Sequence, residues 1–257
     1  MRAKMIVDAI SDLHGHYPKL EGGDLLIVAG DLTARDLESE HALFDYWINE
    51  QPYKKKIVIA GNHDNVLAEE RLKFQFCEYL CDSGTEFEYQ ESVRNLFDRD
   101  DKSLIYKKKL KIWGSPWSLW FEGINPECKA FTGSENDLKK KFDLIPDDID
   151  ILITHSPPYG ILDGIPIEDG SEFHTGSQSL QKRLFEIRPR LNIFGHIHEK
   201  GHRFVEITFP PEDQTVKQIS EDIIKVEIHG GKITWCVNAS HVNEHYKPVN
   251  KPVRVIL

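Results

Sequence analysis

The sequence predicts an α/β protein, a sandwich of sheets with helices outside, from three observations. Short runs rich in Ile, Val and Leu recur along the chain, amphipathic helical stripes lie between them, and the final third alternates in a β-like way. The runs are Met5–Ile10, Leu25–Ala29, Ile57–Ala60, Ile112–Trp113, Ile151–Ile153 and Leu191–Phe194. Runs this short and unbroken by polar residues read as strands buried on both faces. Three helices are expected between them. The stretch 37–50 places Leu43, Phe44, Trp47 and Ile48 on one stripe, and 66–82 does the same with Leu72, Phe76, Cys77, Leu80 and Cys81. The third, 177–188, carries Leu180, Leu184 and Ile187, with Ser177 as N-cap and Pro189 as the stop. Residues 202–209, 223–229 and 232–237 read as strands, with Gly230-Gly231 where a two-residue hairpin turn belongs. The interval 210–222 is polar and reads as a surface loop with room for one helical turn. No repeat, low-complexity tract or linker divides the chain, so residues 1–257 are expected to form one domain.

Composition narrows the function. A chain of 257 residues that is 40% hydrophobic and 29% charged is neither disordered nor a disulfide scaffold. Its apolar stretches fall far short of the roughly 20 residues of a membrane span. The amino terminus, MRAKMIVDAISD, meets charge at once and offers no secretory core. The four cysteines, at 77, 81, 128 and 236, form no CxxC pair, and two of them fall on the apolar side of the second predicted helix. Reduced thiols and a cytoplasmic location are expected. With 32 basic against 42 acidic residues the net charge is −10, the wrong sign for gripping long nucleic acid or an anionic membrane. It does not oppose a compact anionic substrate held by metal ions.

Most of the strand-like runs end in a turn that carries metal-binding side chains. The turns are SDLHG at 11–15, GDLT at 30–33, GNHD at 61–64, THSPP at 154–158 and GHIH at 195–198. They place Asp12, His14, Asp31, Asn62, His63, His155, His196 and His198 at the carboxyl edge of the sheets, where α/β folds bind ligands. Asp12 and His14 point to one side if the backbone stays extended, as do His196 and His198. Mixed oxygen and imidazole donors suit Mn, Fe, Zn or Ni better than Mg or Ca. Each turn alone is ordinary strand-end chemistry. Five together, in this order, are not.

This ordered set resembles the calcineurin-like metallophosphoesterase superfamily from residue 6 to about 198. The resemblance implies a four-layer α-β-β-α sandwich of two mixed β-sheets flanked by helices, with a dinuclear site at the strand ends. It implies that Asp12, His14, Asp31 and His198 hold one divalent metal ion. Asp31, Asn62, His155 and His196 would hold the second, with Asp31 bridging and a shared hydroxide attacking phosphorus. His63 is implied to be the proton donor to the leaving oxygen rather than a ligand. Asp64 either holds that imidazole or caps the helix that follows. GSPWSLWF at 114–121, THSPPYGILD at 154–163 and NAS followed by YKPVNKP at 238–252 look like the metallophosphoesterase-domain-containing subgroup. That subgroup implies phosphodiesterases acting on small, including cyclic, nucleotides. The chain departs from it over residues 199–237, where the polar loop lies.

The leading expectation is therefore a metal-dependent phosphodiesterase that hydrolyses small nucleotides, manganese being one of the metals the site would accept. A phosphomonoesterase or protein phosphatase would use the same site, and a nucleotide-binding protein with little activity is the non-enzymatic alternative. Asn62, His63 and Trp117 are the candidate substrate contacts, Trp117 because it follows Pro116 in a turn and could stack on a base. Arg35 lacks the motif of a phosphate-binding arginine and reads as solvated. His16, His174, His202 and His241 match no ligand position. Lysine triplets at 54–56, 107–109 and 139–141 would make a basic face only if they lay together.

Overall fold

Alternation within single strands builds the layers. In the computed structural model, which describes residues 5–94, 103–122, 127–209, 217–219, 223–225 and 233–257, Leu25, Ile27 and Ala29 face one way and Leu26 and Val28 the other. Ile151 and Ile153 oppose Leu152 in the same manner. Each strand thus buries both faces, because successive side chains point to opposite sides. The inward sets meet in a core between two sheets that includes Ile27, Ile57, Ile153, Ile193, Phe204 and Val237. The outward sets meet helices.

The first sheet runs in the order Ile223–Lys225, Val253–Ile256, Ile6–Ile10, Gly23–Ala29, Tyr53–Ile59, Glu78–Tyr79. The second runs Lys217–Ile219, Arg203–Thr208, Ile233–Asn238, Leu191–Phe194, Ile151–Thr154, Ser103–Ser115, Ser83–Arg94. Helix α1 (Glu38–Asn49) covers the outer face of the first sheet with Phe44, Trp47 and Ile48. A single turn, α2 (Asn65–Ala68), follows the third long strand. Helices α3 (Glu135–Phe142) and α4 (Gln178–Ile187) cover the second sheet with Leu138, Phe142, Leu180 and Leu184. The result is the expected four-layer α-β-β-α sandwich of two mixed sheets.

Several local expectations meet a different outcome. The Ser177 cap holds, since its hydroxyl accepts the Leu180 N–H and α4 ends at Arg188 before Pro189. On α1, however, Leu43 is 60% exposed, and His41 and Asp45 take inward positions. The helix expected over 66–82 stops after α2. Glu70 turns left-handed at φ 54°, the Asp45 carboxylate accepts the Gln75 and Phe76 N–H groups, and Glu78–Tyr79 pairs beside Ile57 and Val58. Cys77 and Cys81 are therefore not on a helix, and Leu80 enters the inter-sheet core through pairing that overrides the local period. The described parts of the strands expected at 223–229 and 232–237, residues 223–225 and 233–237, do not pair with each other. Ile233–Asn238 is flanked on both edges by Leu191–Phe194 and Arg203–Thr208, while Ile223–Lys225 joins Val253–Ile256 in the other sheet. Gly230-Gly231 lies outside the described residues. Within the polar interval 210–222, Lys217–Ile219 is a strand rather than loop or helix. Helix α3, capped by the Ser134 hydroxyl, lies outside the three stretches that the sequence predicts as helical.

The carboxyl ends of Ile6–Ile10, Gly23–Ala29, Tyr53–Ile59, Ile151–Thr154 and Leu191–Phe194 converge on one edge, where the sheets are sewn together. Ser11 bridges Ser240, with Ser11 N–H donating to Ala239 O and His241 N–H to Ser11 O. Across the same seam His155 Nδ1 lies 2.9 Å from Ala29 O. Phe44 pins α1 to the sheet below this edge. Phe44→Ala should cost about 3–5 kcal/mol of unfolding free energy. Urea denaturation checks this, and a loss under about 1 kcal/mol would mean that α1 is not a stabilising layer.

Candidate metal centre

Asp31 Oδ2 stands at the middle of the strand-end turns. It lies 3.4 Å from His155 Nε2, 3.7 Å from His14 Nε2 and 3.9 Å from His63 Nε2. On one side, His14 Nε2 is 3.4 Å from His198 Nε2, which is 3.4 Å from Asp12 Oδ1. On the other, His155 Nε2 is 2.9 Å from Asn62 Oδ1, and the His196 ring centre is 5.0 Å from that of His155. All eight sequence-marked residues thus come together. Metal-type donors within reach of one another group as Asp12, His14 and His198; as His14, Asp31 and His63; and as Asp12, Asp31 and His155.

Backbone geometry explains why these turns look as they do. Asp12, His14, Asp31 and His196 all have positive φ, between 41° and 67°. The ligand pairs therefore share a side through left-handed turns rather than through extended strand, and His198 opens a 3-10 turn. Such conformations persist only where surroundings over-determine them. Gly61 and Gly195 are required by close approach: a Cβ at Gly61 would sit 2.2 Å from Asp31 Oδ1, and one at Gly195 would sit 2.1 Å from Asp12 Oδ2.

Hydrogen bonds aim the donors. Asp12 accepts the His196 N–H and, at 2.6 Å, the Ser240 hydroxyl. Asn238 Nδ2 donates to Gly195 O and Ile197 O and so holds the GHIH turn. His155 Nδ1 lies 2.9 Å from Ala29 O, and in the neutral ring donation there leaves Nε2 with a lone pair facing Asn62 Oδ1 and Asp31 Oδ2. Three electron-rich atoms facing one point are what a divalent cation satisfies, so the donor set fits a metal. Asp64 neither holds His63 nor caps α2 with its side chain. Its buried carboxylate accepts the backbone N–H groups of Asp31, Leu32 and Gly61, tying the GDLT and GNHD turns together.

Above these residues opens a cavity of about 250 Å³, lined by Leu119, Trp120, Phe121, Ile165, Phe173 and Tyr246 together with His63, His196 and His198. Trp117 is elsewhere. Its indole N–H donates to Asp82, Lys141 Nζ lies 4.3 Å over its ring, and it packs against the second-sheet core. The site-facing aromatics are Trp120 and Phe121, from the same cluster, and two that the sequence reading missed, Phe173 and Tyr246. The Tyr246 ring sits edge-on to His14 at 4.8 Å and to His198 at 5.2 Å. Ser240 and Tyr246 belong to the NAS and YKPVNKP motifs, so a signal existed. Cys128, 3.3 Å from His63 Nδ1, had none. His16, His174, His202 and His241 lie apart, on Tyr246 O, Asp163, Lys251 O and Asn250 O, and Arg35 is exposed.

Electrostatics divides the imidazoles. Burial pushes His14 down to about 4 and, with repulsion from His155, His196 down to about 3, so both are neutral and ready to ligate near neutral pH. For His155 and His63 burial works in the same direction, but Asp31 acting with Asp12 and the Ala29 carbonyl at His155, and with Cys128 and Asp64 at His63, outweighs it and raises them to about 9 and about 10. Burial also opposes charge on Asp12 and Asp31, yet the neighbouring histidines hold both carboxylates well below the usual range. Asp64 is raised to about 6 by burial and by Asp31. Without a cation, then, protons on His155 and His63 neutralise the carboxylates. A histidine raised in the folded state stabilises fully below its ordinary value of 6.5 and ceases to do so above its folded value. Chelator-treated protein should therefore lose thermal stability between about pH 6.5 and about 10. Metal-loaded protein, with His155 held neutral by ligation, should lose less over that window. Parallel melting curves in differential scanning calorimetry would refute this.

Comparison with known proteins follows the same lines. The calcineurin-like phosphoesterase family model matches residues 5–200. The chain is 33% identical over 261 aligned positions to metallophosphoesterase domain-containing protein 1 of Homo sapiens and to that of Mus musculus, covering 96% of this chain and 69% of each relative. A solved structure superposes with a TM-score of 0.50 at 15% identity, over 95% of this chain and 92% of that one, a likeness of fold alone. Fold, donor set and family match converge: the chain belongs to the calcineurin-like phosphoesterase family and is a metal-dependent phosphoester hydrolase.

Proposed function

We propose that the chain is a phosphodiesterase for small nucleotides, cyclic ones included, acting as one catalytic domain over residues 1–257. The observation that carries this reading is the position of Asp31 Oδ2 between two donor groups beneath a small, aromatic-walled cavity. In it Asp12, His14, Asp31 and His198 hold one ion, and Asp31, Asn62, His155 and His196 hold the second. Two divalent ions, Mn, Fe, Zn or Ni by donor type, would supply an acidified water and neutralise the phosphoryl oxygens. His63 turns Nε2 toward the same centre and would give its proton to the leaving oxygen. Trp120 is 38% exposed and flanks the cavity, where its indole offers a face to a base.

Charge placement supports a small substrate. The lysine triplets do not form a basic groove. Lys54 pairs with Asp24, Lys55 with Glu78, Lys109 with Glu86, Lys139 with Asp143, Lys140 with Asp137 and Lys141 with Asp82. None of the nine lines the metal-site cavity. A binder of long nucleic acid needs phosphate contacts along its surface. Among the described residues no helix is long and apolar enough to cross a membrane. The four cysteines are unpaired, which supports a cytoplasmic setting for this reading.

Bis-p-nitrophenyl phosphate with Mn²⁺ should be hydrolysed, and chelation should abolish the activity. On 2′,3′- and 3′,5′-cyclic nucleotides His63→Ala should lower kcat by roughly 10²–10⁴-fold, the usual contribution of a positioned proton donor. Faster turnover of monoesters than of any diester would replace this reading with a phosphomonoesterase. Trp120→Ala should raise KM for nucleotides by about 10-fold, equivalent to about 1.4 kcal/mol of stacking, and leave KM for bis-p-nitrophenyl phosphate less affected. An equal change for both substrates would remove the base-stacking role.

A further inference from the structure

His63 has two ring nitrogens, and only one faces the reaction centre. Nε2 looks toward Asp31 Oδ2, while Nδ1 meets Cys128 Sγ at 3.3 Å. A ring that must deliver a proton from one nitrogen needs its other nitrogen fixed, because rotation about the Cβ–Cγ bond would otherwise carry Nε2 away and bring Cε1 into its place. A carboxylate is the usual partner, and Asp64 is adjacent in sequence. Its two oxygens are already engaged by the backbone N–H groups of Asp31, Leu32 and Gly61. We propose that Cys128 is the positioning residue of His63, its sulfur accepting the Nδ1 proton and so holding Nε2 toward the leaving oxygen.

The surroundings of Cys128 support such a role. Its segment is laced to the turn that bears His63: Ala130 N–H donates to Asn62 O at 3.2 Å, and Asn65 Nδ2 donates to Glu127 O. Cys128 and His63 therefore keep their spacing through backbone that both share. On the opposite side the His14 ring packs edge-on to His63, with centres 4.9 Å apart, which limits the ring to small excursions. The sulfur also lines the cavity, so it sits at the reaction centre without serving as a metal donor in the groups above. In the step itself the Nε2–H bond breaks as the leaving oxygen takes the proton, and the proton on Nδ1 stays there, hydrogen-bonded to the Cys128 sulfur. Thiol sulfur is a weak acceptor, which suits a contact that orients the ring and adds no full charge beside Asp31.

This inference rests on the proton-donor reading of His63, and its test separates the two. Aryl phosphodiesters with good and poor leaving groups, bis-p-nitrophenyl phosphate and diphenyl phosphate, differ in their need for a proton. Cys128→Ala should slow diphenyl phosphate at least about 10-fold more than bis-p-nitrophenyl phosphate, a part of the roughly 10²–10⁴-fold that a whole proton donor contributes. Cys128→Ser, which keeps an acceptor, should restore most of the difference. Two-bond ¹H–¹⁵N spectra of the metal-free protein should show the Nδ1 resonance of His63 move in Cys128→Ala and return toward its place in Cys128→Ser. Equal slowing of both esters, or an unmoved His63 resonance, overturns the proposal. If the wild-type protein cleaves neither ester, the functional reading fails, and the spectra still decide the contact.

Discussion

A single buried carboxylate, Asp31, sets the terms for the rest of the molecule. Its Oδ2 is shared by imidazoles from three different turns, and its Oδ1 accepts the His63 N–H. Holding a carboxylate in a buried position requires opposite charge or donors close by, or its desolvation is unbalanced. Those donors come from both sheets. The two sheets must therefore meet at their carboxyl edges, and the Ser11–Ser240 seam and the contact of His155 Nδ1 with Ala29 O make them meet. The four-layer architecture can be understood as the scaffold that brings five strand ends within reach of that oxygen.

Precision at the edge is enforced by backbone as much as by side chains. Four donor residues occupy left-handed conformations, and glycines stand where a single methyl group would strike a donor. These are costs of order 1–3 kcal/mol each for non-glycine residues, and cooperating hydrogen bonds offset them. Asp64 is the clearest case, because one carboxylate ties three backbone amides from two turns. Its own elevated titration reflects that compromise, with burial and Asp31 both opposing its charge. Site geometry and local stability are therefore coupled.

The acidic balance of the chain acquires a local meaning. A net charge of −10 would repel an anionic substrate in the absence of cations. Among the eight candidate donors only Asp12 and Asp31 are carboxylates, and imidazoles surround them. Two divalent ions would leave the centre positive while the surrounding surface stays acidic. Six of the nine triplet lysines are spent on carboxylates across the outer layers.

Sequence by itself determined the strand ends and the metal-type donor side chains they carry, because each is a local event. A buried strand is a continuous apolar run, and a metal-ready turn follows it within a few residues. Ser177 as a helix cap and Pro189 as its stop were legible for the same reason. What crosses between distant segments was not. Whether 66–82 continued as a helix depended on the Asp45 carboxylate and on pairing with Ile57–Val58, neither encoded within that stretch. Strand Ile233–Asn238 could not pair with Ile223–Lys225 once its edges were occupied by other strands. Trp117, Trp120 and Phe121 are nearly adjacent in sequence, yet only tertiary packing sends Trp117 to Asp82 and the other two to the cavity. Asp64 likewise departs from the role that adjacency suggested, and the distant Cys128 meets the His63 ring instead, because hydrogen bonds follow distance in space and not separation along the chain.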